Sequence, residues 1–80
     1  MGINDDDFDE ADFLSRLGKH IEKIRASRGY SQDRLTDEAG LSRGTLSKIE
    51  RAQSSPQVTT LAKVAKTLGV PLKKLTDVDV

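Results

Sequence analysis

Apolar residues recur at Phe13, Leu17, Ile21 and Ile24, spacings of three and four that put them on one face of a helix over about residues 12–28. Asp12 is placed to cap its start and Gly29 to end it. A second apolar set, Leu35, Ala39, Leu41, Leu46 and Ile49, is divided between two shorter segments, about residues 32–38 and 43–51. Each opens on a serine, Ser31 and Ser42, whose oxygen can accept an orphan N–H of the first turn. Gly40 stands between them, where a sharp corner calls for positive φ. All five apolar positions can turn to one side and pack under that corner. Residues 52–57, rich in Ser, Gln and Pro, form a loop by composition. A fourth helix follows over residues 58–68, with Val58, Leu61, Ala65 and Leu68 as its core stripe and Ala62 and Val64 flanking it. Gly69 closes it, and Pro71 suits the first position of a short fifth helix, residues 71–75. Leu72 and Leu75 face one way there, with Val70 nearby, to complete the core and seed a two-fold contact. The pattern predicts an all-α chain of five helices with no sheet.

Three aromatics, Phe8, Phe13 and Tyr30, leave the core to Leu, Ile, Val and Ala. Eighty residues are near the lower end of what one core supports alone, and without cysteine neither a disulfide nor a thiolate metal site can staple it. Dimerisation is a common remedy. The formal net charge of zero conceals an asymmetry. Residues 1–12 carry six acidic side chains and no Lys or Arg, whereas residues 13–80 hold all 13 basic residues against seven acidic ones. The sequence therefore divides into an acidic, disordered arm (1–12), a basic helical domain (13–75) and a short tail (76–80). A basic domain of this kind suits a polyanion. The arm reads as a solubilising tail, or as a competitor for the basic face.

Several chemistries are excluded. His20 has no second histidine to share a metal and no carboxylate–serine arrangement for catalysis. The Asp5-Asp6-Asp7 cluster lacks the glycine turn and distal glutamate of a calcium loop, and no Gly-rich phosphate loop occurs. No enzyme activity, metal or cofactor is expected. No run of 18 or more apolar residues and no charged-then-apolar leader occurs, so no membrane partner is expected and the expected location is cytoplasmic. What remains is the outward face of the third helix: Arg43, Gly44, Thr45, Ser47 and Lys48. Hydroxyls reach phosphates and base edges, while Arg and Lys pair best with guanine O6 and N7, so this face suits a DNA groove.

The ordered set Ile24-Arg25, Arg28-Gly29-Tyr30-Ser31-Gln32, Leu35, Ala39-Gly40-Leu41-Ser42, Leu46-Ser47-Lys48-Ile49-Glu50-Arg51, Thr60-Leu61 and Leu68-Gly69-Val70 resembles the Cro and phage-repressor (Xre-like) helix-turn-helix family. The resemblance spans about residues 17–75 and implies a five-helix, lambda-repressor-like DNA-binding domain with helices 2 and 3 as the motif. It implies base contacts from Arg43, Gly44, Lys48 and Ser47, and backbone contacts from Gln32, Ser42, Thr45, Gln53, Ser54 and Ser55. It also implies an ion pair of Arg25 with Glu50, structural in role, and dimer contacts from Val70, Leu72 and Leu75. Three positions depart from the pattern. Gly44 stands in the recognition helix at a cost of about 1 kcal/mol relative to alanine, Thr36 replaces the usual alanine where the motif helices touch, and Ala52 replaces a frequent glycine.

The expected function is sequence-specific binding of double-stranded DNA by a homodimeric transcriptional regulator on a near-palindromic operator. No small-molecule ligand is expected. Among Xre-like proteins the chain resembles restriction–modification controllers and small phage-type repressors. The alternative is a DNA-binding antitoxin whose main role is to hold a protein partner.

Overall fold

The computed structural model describes residues 7–79. They form α1 (Glu10–Ser27), α2 (Gln32–Ala39), α3 (Thr45–Glu50), α4 (Val58–Leu68) and α5 (Leu72–Leu75), with no strand among the described residues. The all-α, five-helix expectation holds. α1 packs on α3 and α5, α2 on α3 and α4, and α4 also on α5.

α1 begins earlier than its apolar stripe indicates. Asp9, not Asp12, is the cap: its carboxylate accepts the Asp12 backbone N–H at 3.0 Å. Asp12 instead lies in the first turn beside Glu10, where negative charge meets the positive end of the helix dipole, and it pairs with Arg16 at 3.0 Å. The expected arm thus overlaps α1 at its end, and the Phe8 ring lies 5.7 Å from that of Phe13. The rest of the expected arm, residues 1–6, lies outside the described residues.

Leu17, Ile21 and Ile24 of α1 meet Leu35, Leu46, Ile49, Leu61, Val64, Ala65, Leu68 and Leu75 in one core. Two expectations for α4 and α5 change here. Val58 is 69% exposed while Val64 is fully buried, so the stripe runs through Leu61, Val64, Ala65 and Leu68. Val58 opens the helix, and a helical side chain leans towards its own N-terminus, which carries this one off the end of the core. Leu75 is also fully buried, sealed under α1 and α4, so it cannot contact a second molecule. Val70 and Leu72 remain half-buried at the surface.

Polar ties fix the helix ends. His20 donates from Nε2 to the Lys74 carbonyl at 2.8 Å, anchoring the four-residue α5 to α1. Arg28 donates to the carbonyls of Leu68 at 3.0 Å and Gly69 at 3.4 Å, satisfying the last turn of α4 from the end of α1. The Tyr30 hydroxyl lies within donating distance of Glu38 Oε1 (3.1 Å) and the Thr67 carbonyl (3.3 Å). The Arg34 guanidinium stacks over the same ring, 4.1 Å from its centroid, and binds Glu38 at 2.8 Å. Arg34, with help from Tyr30, holds the Glu38 carboxyl below its usual range.

Candidate nucleic-acid interface

The helix-turn-helix is built from two dissimilar starts. At α2 the Ser31 hydroxyl accepts the Arg34 N–H at 3.1 Å. At α3 no side chain caps the helix. Ser42 takes part through its backbone carbonyl, which accepts the Thr45 N–H at 3.1 Å, and Gly44 is the capping residue at φ 85°. Helix α3 therefore starts at Thr45, two residues later than expected. Arg43 and Gly44 lie in the turn before it. The supposed cost of glycine inside the helix disappears, because a left-handed residue is what this turn needs. Gly40 makes the corner at φ 69°.

Ala52 takes φ 59°, the only positive φ among the described non-glycine residues. The Ala52 N–H reaches the Ile49 carbonyl at 3.1 Å, and the Gln53 N–H reaches that of Lys48 at 2.8 Å. This is the Schellman closure normally made on glycine. Alanine has not changed how the helix ends; it adopts the strained conformation.

Beneath the motif Arg25 grips Glu50 with two bonds, Nε to Oε2 at 2.7 Å and Nη2 to Oε1 at 3.1 Å. The two side chains are 13% and 1% exposed. Arg25 also donates to the Tyr30 carbonyl at 2.7 Å, and the Glu50 carboxylate raises the pKa of its guanidinium further. Removing one partner of so buried a pair costs roughly 3–5 kcal/mol, because the other is left uncompensated.

On the outer side, a groove opens between α2 and α3, lined by Gln32, Asp33, Thr36, Asp37, Leu41, Arg43, Gly44 and Ser47. It gathers Gln32, Arg43, Gly44 and Ser47 from the expected contact set. Arg43 is exposed and makes no ion pair among the described residues, so its guanidinium is available to a ligand. Lys48 is exposed on α3 away from the groove wall, Ser42 is exposed, and Thr45 is half-buried. In the following loop Gln53 and Ser55 are exposed and Ser54 half-buried. The sequence reading missed Asp33 and Asp37, which bring negative charge to the α2 wall one turn apart. Their spacing from Gln32 and Thr36 on a helix was the available signal.

Residues 21–75 match the helix-turn-helix family model HTH_3. The chain belongs to that family. Within it, the chain is 44% identical over 55 residues to the HTH-type transcriptional regulator SutR of Escherichia coli (strain K12), covering 69% of this chain and 31% of SutR. The crystal structure of SinR, described as the master regulator for biofilm formation in complex with DNA, superposes with a TM-score of 0.72 at 35% identity, covering 76% of this chain and 98% of that one. The restriction–modification controller protein C.AhdI of Aeromonas hydrophila superposes at 0.75 with 27% identity, covering 78% and 94%. The chain spans between 31% and 50% of the length of the first curated regulators it matches. The family consists of regulators, not enzymes. Among the described residues no helix is long and apolar enough to cross a membrane.

Proposed function

We propose that the chain reads double-stranded DNA in sequence-selective fashion as a cytoplasmic transcriptional regulator, two copies acting on one near-palindromic operator. The observation that carries this reading is the groove between α2 and α3, where Gln32, Arg43, Gly44 and Ser47 converge in a fold shared with a regulator solved on DNA. Arg43 and Lys48 supply base-edge donors, each worth roughly 1–3 kcal/mol against the wrong base. Ser47 can reach a base or a phosphate, and Gly44, without a side chain, allows the backbone close to a base. Gln32, Ser42, Thr45 and the loop residues Gln53, Ser54 and Ser55 face the sugar–phosphate backbone, where they position the protein without carrying sequence information. Val70 and Leu72 form the contact between the two copies.

Selection of binding duplexes from a randomised pool tests the proposal. The expected product is a two-fold symmetric consensus with half-sites about 10 base pairs apart, one helical turn. A pool that keeps no preferred sequence would refute the reading, and an asymmetric single half-site would refute the dimer.

A further inference from the structure

The buried Glu50 carboxylate accepts a third hydrogen bond that the ion pair does not require: Gln32 Nε2 donates to Oε1 at 2.8 Å. Gln32 opens α2 and Glu50 closes α3. The bond therefore joins the two ends of the helix-turn-helix that lie farthest in sequence from its Gly40 corner. A glutamine amide presents nitrogen on one side and oxygen on the other, and the two are easily exchanged. An ionised carboxylate only accepts, so it admits the nitrogen side and repels the oxygen. Arg25 keeps that carboxylate in place with its own two bonds.

We infer that Glu50 is a positioning residue for DNA binding: it fixes the orientation of the Gln32 amide in the free protein, leaving the second Nε2 hydrogen for a phosphate oxygen. Glu50 itself does not meet the DNA, because its side chain is 1% exposed and a carboxylate beside a phosphate would repel it. Its charge is matched by Arg25, so the orienting group adds no net negative potential to the face. An unheld glutamine must give up rotamer freedom on binding; here that ordering is already done on folding. This inference rests on the DNA-binding reading above and assigns the buried pair a part in it.

The test is a double-mutant cycle of Glu50→Gln and Gln32→Ala, read by fluorescence anisotropy on a duplex selected by the unaltered chain. Circular dichroism confirms that each variant is folded at the assay temperature. A glutamine at position 50 keeps the shape but no longer dictates which side of the Gln32 amide faces it. Each single change should weaken binding about fivefold, and the double variant should bind no more weakly than Gln32→Ala alone. Losses that multiply would overturn the inference while leaving the DNA reading intact. If the unaltered chain selects no duplex, both readings fall. A second measurement stands even if Glu50→Gln does not fold. In the NMR spectrum of the unaltered chain, the two Gln32 side-chain amide protons should be well separated. One should exchange slowly with solvent, and only the other should shift when DNA is added. Two protons exchanging as fast as those of an exposed glutamine would overturn the inference.

Discussion

Ala52 closes α3 at φ 59°, a conformation in which its Cβ crowds the following carbonyl oxygen at about 1–2 kcal/mol. Glycine would relieve that strain but loses about 0.4–1 kcal/mol through the freedom it adds to the unfolded chain. The relief is the larger effect, so Ala52→Gly should stabilise the fold by about 0.5–1 kcal/mol and raise Tm by roughly 2–6 °C in a thermal melt. An unchanged or lowered Tm would contradict this account of the turn. At this scale the sequence was partly legible. Ser31 and Gly40 announce their roles because capping and left-handed corners each demand particular residues. Ser42-Arg43-Gly44 offers two acceptable helix starts, a serine and a glycine, and only the assembled turn shows that the glycine is used. The Gln32–Glu50 bond joins residues 18 positions apart on different helices, which no local spacing reveals.

Among the elements, α1 comes close to the backbone at the end of α3, and this approach depends on Gly18. A Cβ there would stand 2.6 Å from the Ile49 carbonyl oxygen and 2.7 Å from that of Glu50. Both are backbone atoms, so no side chain can swing aside. Gly18→Ala gains about 1 kcal/mol in helix propensity but forces the two helices apart, and overpacking of this kind costs about 1–3 kcal/mol. With backbone on the far side the upper part of that range applies. The net loss should be about 1–2 kcal/mol, seen as a lower denaturant midpoint with unchanged slope. A midpoint that rises would show that α1 and α3 are not held this close. Gly18 escapes a sequence reading because its place inside the predicted α1 looks like an ordinary weak position. Periodicity located α1 and α4, while the serine starts, the Gly40 corner and Pro71 located α2, α3 and α5. This reading missed the starts of α1 and α3 by two residues, because caps rather than apolar positions decide where helices begin. It also counted Val58 into the core, since periodicity cannot tell where a stripe runs past its neighbours.

For the whole molecule, the informative quantity is the division of charge: six acidic side chains precede residue 13, and all 13 basic ones follow it. The basic part places Arg43, without an ion pair among the described residues, beside the α2–α3 groove and Lys48 exposed on α3. Family membership was legible from the ordered motif, because that motif is mainly a list of structural necessities: the Arg25–Glu50 grip, the Gly40 corner and the Leu35, Leu46 and Ile49 core. The target of the DNA binding proposed here is not written there, since on that proposal base contacts fall to a few exposed side chains whose partners lie outside the chain. The measurement that bears most directly on the DNA-binding claim is anisotropy titration of a selected duplex and a scrambled one at two salt concentrations, with Arg43→Ala in parallel. The unaltered chain should prefer the selected duplex and lose affinity steeply as salt rises. Arg43→Ala should weaken binding to the selected duplex by roughly 10-fold or more and narrow the preference. Equal, weak binding to both duplexes, unaltered by the substitution, would contradict the account.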